Sequence, residues 1–166
     1  IDRPSYLYPT PGRVALVLAG GAARGAYEVG ILQHIAEEVA RYERSDGKEA
    51  SELVGEAYMI LWTVGAQSRK VRKTPLVRIA DDEGRYAVIG SMGGAPTHPQ
   101  WVHNLRATPL ARIQDGAGVR DFEAREVTGD EKGAWWTRAT AVWPDYDTYQ
   151  ASTEREIPLF VLDPSA

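Results

Sequence analysis

Two acidic-glycine turns, Asp81-Asp82-Glu83-Gly84 and Asp115-Gly116-Ala117-Gly118, each separate two short runs rich in apolar and β-branched residues. That pattern reads as hairpins, and a hairpin makes its two strands antiparallel neighbours. The runs around them are expected as strands over 58–64, 73–80, 85–90, 110–114, 120–128 and 157–162. A helix is expected from Thr97, with Gln100 at capping-box spacing and Pro99 in its first turn, ending at Pro109. A second helix opens at Asp130-Glu131, where the dipole favours acids, and breaks at Pro144. A short helical piece carries Tyr146 and Tyr149. Six mainly antiparallel strands with two or three helices make an α+β plan, a barrel or sheet with packing helices.

The chain before residue 57 has a different character. Residues 1–12 read as an extended lead-in, 13–19 as a buried strand, and Gly20 to Gly25 as a glycine turn. A helical pattern follows over 26–44, with Val29, Leu32, Ile35, Ala36, Val39 and Tyr42 at helical spacing. The length of 166 residues suits one ordinary domain. The chain has no cysteine, which excludes disulfides, thiolate metal sites and thiol catalysis. His34, His98 and His103 show no third ligand at metal spacing, so no metal site is expected. A net charge of −4 argues against broad nucleic-acid binding. No apolar run is long enough to span a membrane, and a cytoplasmic location is expected. Trp135-Trp136 is the one feature suited to a weak membrane-surface contact.

Against the acidic background, three features carry chemistry. Arg69, Lys70, Arg72 and Lys73 place four cations within five residues beside the turn glycine Gly65. Arginine can hold a phosphate through two parallel hydrogen bonds; the bland alternative is a solvated basic turn. Gly90-Ser91-Met92-Gly93-Gly94-Ala95 ends a strand and feeds toward a helix start, where free N–H groups and the dipole attract anions. Its small side chains let a ligand come close. Trp143, Tyr146 and Tyr149 flank a proline break and suit either core packing or an aromatic wall against a flat ligand.

These words, in this order, resemble the deazaflavin (F420)-dependent nitroreductase family. The resemblance covers residues 36–163. It is carried by Gly65, Arg72-Lys73-Thr74-Pro75-Leu76, Gly93-Gly94-Ala95-Pro96 with Pro99 and Trp101, Asn104-Leu105, Ala124 to Glu131, Trp143-Pro144-Asp145-Tyr146 with Tyr149-Gln150, and Ile157-Pro158. It implies a split β-barrel of the flavin-reductase type, reduced coenzyme F420 as cofactor with FMN as the alternative, and hydride transfer to a quinone, nitroaromatic or similar electron-poor acceptor. It also implies cofactor contacts from Gly65, Gln67, Ser68, Arg69, Lys70, Arg72, Lys73, Pro75, Ser91, Met92, Gly93, Gly94, Ala95, Trp101 and Asn104. Val77, Trp143, Tyr146 and Tyr149 would shape the acceptor side, with Ser91, Tyr146 and Tyr149 the candidates for catalytic roles. In the basic turn two positions depart from the family: Gln67 stands where a basic residue is usual, and Arg69 where a glycine is; on the acceptor side Trp143 stands where tyrosine is frequent, and Val77 where some relatives carry a tyrosine. Monomer and homodimer are both compatible with the sequence.

Residues 13–35 resemble instead the opening of a patatin-like phospholipase, whose glycine turn supplies an oxyanion hole. That family also needs a Gly-x-Ser-x-Gly elbow. The nearest match, Ile89-Gly90-Ser91-Met92-Gly93, lacks the first glycine, and no Ser-His-Asp spacing is legible. Residues 1–35 therefore read as a patatin-like fragment or extension and 36–166 as the deazaflavin domain. A serine acyl hydrolase and a non-catalytic F420-binding carrier are the rival functions.

Overall fold

The run Tyr58-Met59-Ile60-Leu61-Trp62-Thr63-Val64 is aromatic and β-branched almost throughout, and forms β1 (Tyr58–Val64), with residues 58 to 61 buried without alternation. Such a strand belongs inside a sheet with both faces covered. A computed structural model of the chain describes residues 36–49 and 58–165. In it β1 lies between β2 (Val71–Val77) and β5 (Leu110–Asp115). The other strands are β3 (Ile79–Ala80), β4 (Tyr86–Ile89), β6 (Gly118–Val127) and β7 (Leu159–Pro164). All pairings are antiparallel, and the sheet order is β2-β1-β5-β6-β7-β4-β3.

That order has a geometric consequence. The two edge strands, β2 and β3, are separated in sequence by one residue, Arg78. One residue spans under about 4 Å, so the sheet must curl until its edges meet. The result is a split barrel whose seam is covalent: among the described residues β2 pairs only with β1, and β3 only with β4. Arg78 is pinned at the seam. Its Nε donates to Asp115 Oδ2 at 2.6 Å, and the Tyr86 hydroxyl donates to the same oxygen at 2.8 Å. Burial, then the carboxylate, pushes the Tyr86 phenol up to about 12.

Alternation along β4 and β7 divides the apolar residues into two cores. Met59, Leu61, Val88, Ile113, Phe122, Phe160 and Leu162 face one side, closed by Trp101, Val102 and Leu105 of α2 (Gln100–Ala107). Ile79, Ala87, Ile89, Leu159 and Val161 face the other, covered by Trp135 and Ala139 of α3 (Gly129–Val142) and Tyr146 of α4 (Asp145–Ala151). The described part of a further helix, α1 (36–44), lies against the barrel through Tyr42. Its ring packs on Tyr58 at 4.8 Å, and its hydroxyl accepts the Gly116 N–H at 2.8 Å.

The α+β split-barrel plan and both hairpins match the sequence expectation. Three details differ. The expected single strand over 73–80 is two strands, because the chain leaves one edge of the sheet at Arg78 and enters the other. Thr97 does not cap α2; Pro99 occupies that position in extended conformation (φ −62, ψ 151) with no side-chain cap. The X-Pro step disfavours helix at His98, and Pro99 itself is extended, so the helix begins at Gln100. The glycine turn therefore does not feed α2 directly: Met92–Gly94 form a separate 3-10 turn. The patatin-like stretch lies outside the described residues, as do the expected strand over 13–19 and the first part of the helix over 26–44.

Candidate functional site

The β1–β2 turn is closed by Gly65 N–H donating to Lys70 O at 2.8 Å and Arg69 N–H donating to Gly65 O at 2.9 Å. Arg69 has φ +57. The position at which the family carries glycine is thus a left-handed one, and the arginine holds it at a cost of about 1–2 kcal/mol. Asn104, 1% exposed on α2, braces the turn from below. Its Oδ1 accepts the Ala66 N–H at 3.0 Å, and its Nδ2 donates to Thr63 Oγ1 at 3.0 Å. Asn104 is here a brace for the basic turn.

The four cations are not equivalent. Lys73 pairs with Glu43 of α1 and lies over the Trp62 ring at 4.3 Å. Among the described residues Arg72 reaches Ser68 Oγ, at 3.4 Å, and Arg69 reaches Thr108 Oγ1, at 3.2 Å. Among the described residues Arg69, Lys70 and Arg72 meet no carboxylate, whereas Arg78, Arg85, Arg106, Arg112 and Arg125 each hold at least one. Gln67 and Ser68 are exposed beside them, and Pro75 is buried in the edge strand β2 opposite Ile60.

The second turn has an unusual backbone. Ser91 is in the right-handed region (φ −69, ψ −44), and Met92, Gly93 and Gly94 follow with φ of +50, +63 and +82. A right-handed residue followed by a left-handed one turns successive N–H groups toward a common point, an anion-binding concavity. Gly94 and Ala95 spend their N–H groups inside the turn, on Ser91 O and Met92 O. The N–H groups of Met92 and Gly93 have no backbone partner among the described residues. Gly94 is packed, not open: a Cβ there would meet Ser152 Oγ at 2.0 Å and Tyr149 O at 2.9 Å. The turn thus leaves two N–H groups without a backbone partner among the described residues, fewer than its glycine count suggests.

Val77, Trp143 and Tyr146 come together in one core cluster, at 5%, 5% and 6% exposure, with Tyr149 packed half-buried at its edge. Tyr146 meets Tyr149 edge-on at 6.3 Å, and burial pushes its phenol well above 10. Tyr149 also touches Gly94 through its backbone, so the aromatic group and the second turn adjoin. Ser91 is 8% exposed, and Trp101 is buried against Phe160. Trp135 is buried, and the half-buried Trp136 donates to Asp147 at 2.8 Å.

Two features escape a reading of the sequence. A groove of about 490 Å³ lies beside the basic turn, lined by Trp62, Val64, Val71, Leu110 and Arg112. The loop after α4 brings Arg155 onto the second turn, where it donates to Ser91 O and Ala95 O. Both depend on contacts between distant segments.

A seamed antiparallel barrel that carries, among the described residues, cations without a carboxylate beside one turn and an N–H concavity at another is suited to an anionic ligand. Comparison with known proteins makes that class specific. The model of the F420H(2)-dependent quinone reductase family matches residues 34–164, and the chain belongs to that family. A protein of Mycobacterium tuberculosis (strain H37Rv) named as an F420H(2)-dependent quinone reductase is 33% identical over 107 residues, which are 63% of this chain and 71% of that protein. A solved structure of an F420-H2 dependent reductase is 41% identical, over 64% of this chain and 94% of that one, with a TM-score of 0.61. Another, described as a domain-swapped dimer, is 34% identical over 81% of this chain and 98% of that one, with a TM-score of 0.64. The chain is accordingly an F420H2-dependent oxidoreductase, with reduced F420 as its cofactor. No helix among the described residues is long and apolar enough to cross a membrane.

Proposed function

We propose that this chain reduces a quinone, holding the cofactor between its two turns. Arg69, Lys70 and Arg72 take the phosphate and acidic tail, and the N–H groups of Met92 and Gly93 take a second negative or carbonyl oxygen. The observation that carries the reading is the charge imbalance: among the described residues these three cations meet no carboxylate, whereas most of the other arginines do. Reduced F420, when bound, supplies the hydride; the protein's work is binding, orientation and exclusion of water. Lys73 acts at one remove, because Glu43 already holds it.

On the acceptor side, Tyr149 is the half-buried member of the aromatic group and the one nearest solvent. Val77, Trp143 and Tyr146 form the wall behind it. Burial holds the Tyr146 phenol in its protonated form, and the hydroxyls of Tyr146, Tyr149 and Ser91 are groups that can donate a hydrogen bond to a carbonyl. Other electron-poor acceptors, nitroaromatics among them, suit the same wall. A second copy of the chain completes the proposed assembly, supported by the similar structure described as a domain-swapped dimer.

The test is a fluorescence titration of the full chain with oxidised F420, followed by F420H2 oxidation with menadione. Binding and turnover are expected. Binding without turnover indicates a carrier; no binding at tens of micromolar cofactor overturns the reading. Labelling of Ser91 by a fluorophosphonate would revive the acyl hydrolase.

A further inference from the structure

Arg155 is a half-buried cation without a carboxylate among the described residues. Its Nη2 donates to Ser91 O at 2.6 Å and its Nε to Ala95 O at 2.7 Å, while Nη1 lies 2.9 Å from His98 Nδ1. All three acceptors belong to one stretch, 57 to 64 residues upstream. The loop that carries Arg155 is itself tied down by the Gln150 side chain. Gln150 Nε2 donates to Arg155 O at 2.9 Å, and Gln150 Oε1 accepts the Ile157 N–H at 2.9 Å.

Between the two bonded carbonyls lie three successive left-handed residues, one of which, Met92, is not glycine. A backbone of that kind persists only where its surroundings over-determine it. The Arg155 fork bonds the carbonyl before the run and the carbonyl after it, so it fixes both ends at once. Lysine, with one point charge, cannot reproduce that planar arrangement.

We propose that Arg155 is a positioning residue for the cofactor turn: its fork, with neutral His98 as third acceptor, holds Met92–Gly94 so that the Met92 and Gly93 N–H groups are presented to a bound ligand. This rests on the reading above that the turn contacts the cofactor. It gives His98 a defined part. Because Nδ1 accepts from Arg155, the ring proton sits on Nε2. A second proton would set two cations against each other.

The groups around His98 act in the same sense. Burial, then Arg155, Arg106 and His103, hold its pKa below 6.5, with Glu126 of β6 opposing them. The contact is therefore intact above about 6.5 and lost as the pH falls through the folded-state value.

The test uses the full chain and two readouts: affinity for oxidised F420 between about pH 5 and 8, and hydrogen exchange at the Gly94 and Ala95 amides without cofactor. Arg155→Met is expected to weaken binding about tenfold or more and to speed exchange at both amides. Arg155→Lys is expected to recover only part of each, and serves alone if Arg155→Met does not fold. His98→Asn, which keeps an acceptor but cannot gain a proton, is expected to remove the acid limb of the affinity profile. Wild-type affinity and exchange in both Arg155 variants would overturn the inference, as would a wild-type acid limb in His98→Asn. Failure of the wild type to bind F420 would instead sink the proposed function, and the exchange readout would still decide the role of Arg155.

Discussion

The two turns proposed to face the cofactor are built on opposite plans. The Gly65–Lys70 turn is exposed along most of its length, carries cations that no carboxylate among the described residues neutralises, and is fixed from beneath by the buried Asn104 side chain. The Ser91–Ala95 turn is largely buried and neutral, and it is held from three sides by Arg155, by the backbone of Tyr149 and by Ser152. The first supplies charge that can follow a flexible anionic tail. The second supplies a fixed backbone shape. Affinity should therefore fail gradually at the first turn and abruptly at the second.

The sharpest way to break that contrast is a matched pair of glycine substitutions. Gly94→Ala should destabilise the fold by about 3 kcal/mol in urea melts, because the new methyl meets Ser152 and the Tyr149 backbone at a left-handed position. Gly65→Ala should cost about 1 kcal/mol or less, because the nearest atom, Ser68 Oγ, is the mobile end of a side chain. Equal losses would mean that the two turns are held alike. Asn104→Ala comes next, at about 2–3 kcal/mol, since it leaves the Ala66 N–H without its bond. Thermal melts should show that loss together with weaker F420 binding.

Arg72→Ala should cut F420 affinity about tenfold and leave stability within about 0.5 kcal/mol. The wild-type affinity should also fall with added salt more steeply than the variant's. The smallest effect is expected at Arg69→Gly, which relieves the left-handed arginine. Stability should rise by about 0.5 kcal/mol while titration shows modestly weaker binding. A fall in stability would show that the Thr108 contact matters more than the backbone.

Much of this was legible in the residues. The β1 boundaries and both hairpins follow from local pattern, and the cationic turn from spacing alone. The break at Arg78 was not legible, because Ile79-Ala80 continues an apolar pattern and no local signal says that the chain has changed edges. The missed α2 start has a local cause, since Thr97 and Gln100 have capping-box spacing but the intervening Pro99 is extended. Arg155 was invisible for a different reason: it reads as one more charge in a polar loop until folding sets it on carbonyls some sixty residues away. The depth of Trp143 and Tyr146 was open in the same way, because spacing showed a shared face and not what covers it.

The seam at Arg78 bears on the girth of the barrel. Every other junction between neighbouring strands is a ladder of hydrogen bonds that fixes a spacing; this one is a single covalent hinge. The circumference can widen or narrow there without breaking a ladder bond. The Arg78–Asp115–Tyr86 clasp is then the latch that sets the bore, and loosening it would change the width of the interior while leaving each sheet register intact.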